Sequence, residues 1–333
     1  MDIENKMNEI LKKKNVNIYI IRHGESVSNY ISHKRRSSFY YKVKYRNFYN
    51  NKKYQDCKLT GLGKFQAIKL KDFFLNNNIK FDYTYCSPLI RVLETAYSSV
   101  FETRNDIISS KIIINDLVRE IIRYITDLPN DYNITREKIT NEMNYCSFEK
   151  IFDSCLMESI NDKYNIYPPI RKKFTKLFDS DSYKDYIDIK SNCKKFWETL
   201  ISDLQSYNIS TNDGNDEINI GIYSHAGFLD IFQKEILKRY LLNKDTKKYI
   251  NHLSIMKNTE IRKISFKLNN RNNRDNNRDN NRDNNRDNNR DNNRVSNYRN
   301  NINNINNINN RDSYKNENKN IILSIKSIYR FNN

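Results

Sequence analysis

Apolar and polar positions follow two different periods along this chain, and the places where one gives way to the other mark its elements. Val16 to Ile21 is a near-continuous apolar run rich in β-branched residues. That is the pattern of a strand covered on both faces, as in a parallel sheet. Leu59-Thr60-Gly61-Leu62-Gly63 starts a helix with Thr60 as its N-cap. Phe65, Ile68, Leu70, Phe73 and Phe74 predict that this helix lies on a sheet. Phe81 to Cys86 reads as a second strand, followed by Ser87-Pro88, with Pro at the first position of a helix running from Leu89 to Phe101. Lys111 to Asn115 is a third strand, Tyr183 to Tyr207 a long helix and Ile218 to Tyr223 a fourth strand. Phe228 to Leu242 is the helix after it. Glu260 to Leu268 alternates apolar and polar residues like a further strand, and Ile321 to Phe331 is apolar again. Strands alternating with helices predict an α/β fold, a three-layer α/β/α sandwich around a mainly parallel sheet.

Four stretches break this rhythm. Residues 1–14 form a polar N-terminal segment in which residues 2–13 fit a short helix that nothing in the pattern ties down. Residues 32–58 are a basic insertion with nine Lys/Arg against one acid, Asp56, and with aromatics interleaved from Phe39 to Tyr54. The bland reading is a solvated loop whose aromatics pack locally; the sharper one is nucleic-acid binding through residues 34–53. Residues 121–182 have weak periodicity and contain Pro168-Pro169, which predicts a cap-like insertion with short helices. Residues 269–319 hold tandem Asp-Asn-Asn-Arg and Asn-Asn-Ile repeats. They have too few apolar side chains for a core and read as a disordered low-complexity loop. The apolar run beyond them predicts a hairpin, so the domain spans 15–268 plus 320–333.

Charge narrows the partners without choosing one. The chain of 333 residues carries a formal net charge of +18, and its mean hydropathy is −0.89. Such a balance favours phosphate-rich partners: small phosphoesters, nucleic acid or an anionic membrane. Cysteines 57, 86, 146, 155 and 193 are dispersed, with no C-x-x-C pair. They fit reduced thiols in a cytoplasmic protein better than disulfides or a zinc site. No apolar run approaches the roughly 18 residues of a membrane span, so no membrane partner is expected. The pattern leaves the oligomeric state open.

In open parallel sheets, sites form beyond the carboxyl ends of the strands. Arg22 and His23 follow the first predicted strand, Arg91 the second, Glu120 the third and His225 the fourth. Two arginines, two histidines and one carboxylate suit phosphoryl transfer. Arginine supplies paired charge-assisted bonds to a phosphate. Histidine can serve as a nucleophile, and a carboxylic acid can protonate a leaving alkoxide. Glu142 and Glu149 are alternative acids, and Arg119 and Arg123 flank Glu120 as further candidates for substrate contact.

Ile20-Ile21-Arg22-His23-Gly24-Glu25-Ser26, with Asn29 behind it, resembles the signature of the histidine phosphatase superfamily, which has the phosphoglycerate-mutase-like fold. Four further motifs resemble that family in order. They are Leu59-Thr60-x-x-Gly63-x-x-Gln66-Ala67, Cys86-Ser87-Pro88-Leu89-x-Arg91-x-x-x-Thr95-Ala96, Leu117-x-x-Glu120 and Tyr223-Ser224-His225-Ala226-Gly227. Asn258-Thr259-Glu260-Ile261 resembles the family's entry into its late strand. The resemblance implies that His23 is the phosphorylated nucleophile and that Arg22, Arg91 and His225 bind phosphoryl oxygens, with Asn29 assisting. Glu120 would be the proton donor. It implies a small phosphorylated substrate and neither a metal nor an organic cofactor.

Mutase and phosphatase share this pocket within the family. Cofactor-dependent mutases follow the acid with Arg-His-Tyr-Gly, whereas positions 121–124 here read Ile-Ile-Arg-Tyr. The expected activity is therefore a phosphomonoesterase, with a phosphoglycerate mutase and a non-catalytic phosphate or nucleic-acid binder as alternatives. The basic insertion leaves from the rim of the expected site. It would attract polyanionic substrates and partly cover the pocket.

Overall fold

A computed structural model describes residues 3–100, 112–120, 125–128, 146–150, 189–206, 217–240, 253–268, 313–315 and 321–331. Its framework is an eight-stranded sheet. In chain order the strands are β1 (Asn15–Arg22), β2 (Tyr83–Cys86), β3 (Ile112–Asn115), β4 (Cys146–Lys150), β5 (Glu217–Ser224), β6 (Ile261–Leu268), β7 (Ser313–Lys315) and β8 (Ile321–Tyr329). In space the order is β4-β3-β2-β5-β1-β6-β8-β7. From β4 to β1 all pairs are parallel, and β6, β8 and β7 add an antiparallel edge.

The strand alternation sorts side chains into two cores. Val16, Ile18 and Ile20 of β1 face one layer, with Ile218, Ile220 and Ile222 of β5 and Ile264 and Phe266 of β6. That layer holds helices α1 (Ile3–Leu11), α6 (Ile189–Ser206) and α7 (Ala226–Tyr240). Tyr19, Ile21, Tyr223 and Ile261 face the other layer, with α4 (Gly61–Asn76) and α5 (Ile90–Val100). Burial of an aliphatic side chain contributes about 1.5–3 kcal/mol. A one-residue slip of β1 would exchange its two faces and forfeit both cores.

Several expectations change. The N-terminal helix is tied down: Met7, Ile10 and Leu11 are buried against the first core. Phe65 and Ile68 do not face the sheet but stand 49% and 46% exposed. The buried positions of α4 are Gly63, Gln66, Ala67, Leu70 and Phe74, and Phe65 instead meets Phe331 edge-on at 6.0 Å. Pro88 precedes its helix, which begins at Ile90 with Leu89 accepting the first backbone bonds.

The basic insertion is not a loop throughout. Helix α2 (Val27–Ser37) continues into it, and α3 (Phe39–Lys44) and two 3₁₀ turns, Phe48–Asn50 and Lys52–Tyr54, follow. Lys34, Arg35 and Arg36 occupy the last turn of α2, where cations face the negative end of the helix. Phe48 is buried, and Tyr41 stacks on Tyr45. β4 lies inside the stretch 121–182, where short helices were expected, and β7 inside 269–319, where no element was expected. The rest of both stretches lies outside the described residues, except Ile125–Asp127, a 3₁₀ turn, and Leu128.

Candidate active site

The parallel strands point their carboxyl ends the same way, so the residues after β1, β2, β3 and β5 share one edge. β1 and β5 are neighbours in register, Arg22 opposite Ser224. The next residue on each is a histidine, and the His23 backbone N–H donates to the Ser224 carbonyl. The two imidazoles therefore meet edge to face, with centroids 5.1 Å apart.

Both rings are buried, and both pKa values lie well below the ordinary histidine value. Desolvation is the first cause and the positive charge of Arg91 the second. Arg22 acts on both rings as well, and Arg119 on His225. Neutral imidazole is thus the resting form. His23 Nδ1 lies 2.6 Å from the Gly24 carbonyl oxygen. A carbonyl only accepts, so Nδ1 carries the hydrogen and Nε2 keeps its lone pair. Ser87 sits 2.9 Å from His225 Nε2 and accepts a long 3.4 Å bond from the Leu89 N–H. The Ser87 hydroxyl can donate to Nε2, in the tautomer that carries the His225 hydrogen on Nδ1, or accept from it in the other. His225 Nδ1 is buried without a protein partner.

The arginines are held from behind. Arg22 Nη1 donates to the Met256 carbonyl at 2.5 Å, and its buried Nε has no protein partner. Burial lowers the Arg22 pKa, opposed by the negative charge of Glu120 and reinforced by Arg91. Arg22 and Arg91 thus act on both histidines, and Glu120 acts on Arg22. Arg91, itself buried, donates to the Thr126 carbonyl at 3.2 Å and lies 3.6 Å from the Asp127 carboxylate. A buried donor left unmatched costs about 1–3 kcal/mol. His225 Nδ1 and Arg22 Nε are two such unmatched atoms, and the positive charges of Arg22, Arg91 and Arg119 act on His225, a setting that an anion would stabilise.

The surrounding motifs act as scaffold. Gly24 N–H donates to Thr95 Oγ1, which itself donates to the Arg91 carbonyl. The α4 N-terminus presses on the loop after β1. Thr60 caps Gly63 N–H and bonds Glu25, and Gln66 accepts the Glu25 N–H. A Cβ at Gly63 would stand 2.0 Å from the Glu25 carbonyl oxygen, and one at Gly24 2.5 Å from that of Gly63. The Leu59-to-Ala67 motif is therefore a close backbone approach that locks the loop carrying His23.

Asn29 lies at the third position of α2, in a capping box with Ser26. Its Oδ1 also accepts from Asn258 Nδ2, which donates to the His23 carbonyl. Glu142 and Arg123 lie outside the described residues, and Glu149 is on β4. Arg119 is buried and pairs with Asp116 at 3.7 Å. No sequence motif singles out Asp56 or Cys57, which form the inner end of the basic insertion. Asp56 accepts the Ile90 N–H at the start of α5. The Cys57 thiol, pushed up to about 11 by burial, feels the charges of both Arg91 and Asp127. No periodicity could reveal these contacts, since they join segments distant in sequence.

Among the described residues no group of three or more His, Cys, Asp or Glu is placed to hold a metal ion, and no helix is long and apolar enough to cross a membrane.

Residues 18–122 match the family model described as the histidine phosphatase superfamily (branch 1). No curated protein matches the chain. Similar solved structures include the ecdysone phosphate phosphatase of Bombix mori in complex with tungstate, 16% identical over 74% of this chain and 88% of that one, with a TM-score of 0.42. A mycobacterial glucosyl-3-phosphoglycerate phosphatase is 13% identical over 75% and 92%, with a TM-score of 0.38. The phosphoserine phosphatase of Entamoeba histolytica is 18% identical over 75% and 90%, with a TM-score of 0.34.

Proposed function

We propose that the chain, whose residues 18–122 match the histidine phosphatase superfamily model, belongs to that superfamily and hydrolyses phosphomonoesters through a phosphohistidine intermediate. The observation that carries this reading is the pair of buried imidazoles among arginines, with the Nε2 lone pair of His23 uncommitted and with His225 Nδ1 and Arg22 Nε lacking protein partners.

In the first step the His23 Nε2 lone pair attacks phosphorus, and the bond from phosphorus to the ester oxygen breaks. Glu120, as a carboxylic acid, gives its proton to the departing alkoxide. Arg22, Arg91 and His225 Nδ1–H bind the equatorial oxygens, and Asn29 assists from the α2 N-terminus. In the second step the Glu120 carboxylate takes a proton from water, whose oxygen attacks phosphorus. The N–P bond breaks and its electron pair returns to His23. The products are an alcohol and inorganic phosphate. Positioned donors of this kind each contribute about 10²–10³-fold in rate, and the proton donor about 10²–10⁴-fold.

Ile121-Ile122-Arg123-Tyr124 after the acid favours water over a second hydroxyl of the substrate as acceptor, because the residues that hold a glycerate in mutases are absent there. Rapid acid-free quench during turnover of a small aryl phosphate tests the mechanism. Acid-labile, alkali-stable phosphate is expected on His23 and absent in His23→Ala, together with turnover. Undiminished activity in that variant would sink the mechanism. Interconversion of 3- and 2-phosphoglycerate faster than phosphate release would move the assignment to a mutase.

A further inference from the structure

The basic insertion presents a feature that the phosphate pocket does not use. Phe39, Tyr40 and Val43 of α3 are 80%, 63% and 58% exposed. At about 100° per residue, Phe39 and Val43 share one face of the helix, Tyr40 lies beside them, and Lys42 and Lys44 flank this arc on either side. Tyr41 and Tyr45 stack on each other away from it. Residues 34–46 contain six Lys/Arg and no acid, and Arg36, Lys42, Lys44 and Arg46 are exposed.

We propose that α3 and its flanking cations form a docking surface for an anionic lipid membrane. An exposed apolar centre rimmed by lysines is the arrangement of a helix lying in a membrane interface, where the apolar side chains enter the acyl boundary and the ammonium groups meet anionic headgroups. The absence of an apolar span in the sequence does not bear on this mode, which needs none.

A single-stranded nucleic acid fits the surface less well. Base stacking needs open aromatic faces. Here Lys44 covers Tyr40 and Tyr45, Arg35 covers Tyr49, and Tyr41 faces Tyr45. Of the exposed apolar side chains, Phe39 offers a single open ring and Val43 has none, too little for successive bases to stack on. The surface is also tied to the pocket. The two 3₁₀ turns that follow α3 pack against Ile125–Asp127, the turn that holds Arg91.

Co-sedimentation of the full chain with vesicles tests the proposal. Binding is expected to phosphatidylcholine vesicles containing phosphatidylserine and not to phosphatidylcholine alone. It should be lost in 1 M salt, where the screening length falls to about 3 Å. Lys42→Glu/Lys44→Glu is expected to weaken it by about tenfold or more. Phe39→Ser/Val43→Ser, which leaves the charge unchanged, should weaken it comparably. All four positions are exposed, so both variants should keep the wild-type melting temperature. Absence of binding to phosphatidylserine vesicles overturns the proposal. So does binding that Phe39→Ser/Val43→Ser leaves intact. A single-stranded RNA oligonucleotide that binds more tightly than the vesicles and displaces them would overturn it in favour of a nucleic-acid surface. None of these readouts involves turnover, so they stand apart from the phosphatase assignment.

Discussion

His23 and His225 illustrate how a single residue's environment sets its chemistry. Each pKa is lowered first by burial and then by Arg91, so each ring is neutral in the folded protein and titrates normally when unfolded. The unfolded chain then binds more protons below about pH 6.5. Stability is therefore expected to be fully present above that pH and to fall as pH drops towards the lowered folded values. Urea denaturation across this range would register the loss, and His225→Gln should flatten the slope. A bound dianion opposes the charge of the arginines and favours the protonated form of His225, while His23 keeps the lone pair that attacks. Vanadate binding should thus take up protons, seen as a buffer-dependent binding enthalpy. Arg91 and Asp127 make a second test. Arg91→Ala is expected to cost about 10²–10³-fold in kcat/KM. Asp127→Ala removes only the carboxylate behind the guanidinium, so steady-state kinetics should show a smaller loss, carried mainly by KM.

At the scale of elements, the α4 N-terminus is where a motif turns into architecture. Gly63 lets the helix approach the loop after β1 closely enough that a Cβ would overlap the Glu25 carbonyl. Both sides of that contact are backbone, so neither can swing away. Gly63→Ala is expected to destabilise the fold by about 3 kcal/mol, the upper end for overpacking. Thr60→Ala, which removes an N-cap, should cost about 1 kcal/mol. Chemical denaturation separates the two. The pattern of apolar residues was enough to place β1, β2, β3, β5, β6 and the helices α4, α5, α6 and α7, because each of these elements buries an apolar face, but not α2 and α3, which bury little. It misplaced Phe65 and Ile68, since an apolar stripe on a helix does not say which of its flanks meets the sheet. It did not find β4 and β7, edge strands of five and three residues, too short for alternation to register.

For the whole molecule, β6 and β8 close the sheet although more than fifty residues separate them, and they pair from Ile261 opposite Tyr329 to Leu268 opposite Ile321. Loop-closure entropy grows only slowly with length. Replacing residues 271–310 by a short linker is therefore expected to leave both the melting temperature and turnover unchanged, a result that calorimetry and a phosphatase assay would check. The sequence alone determined the alternation of strands and helices, and with it the end of the sheet at which Arg22, His23, Arg91, Glu120 and His225 would gather. Parallel strands joined by helices must present their carboxyl ends together, so local pattern suffices for that much. Tertiary structure alone decided that β1 and β5 are neighbours, which sets the two imidazoles 5.1 Å apart. It also decided that Thr126 and Asp127 hold Arg91, and that the basic insertion turns Asp56 and Cys57 inward while α3 faces out. Those outcomes depend on which distant segments share space, and a one-dimensional pattern of apolar and polar residues carries no term for that.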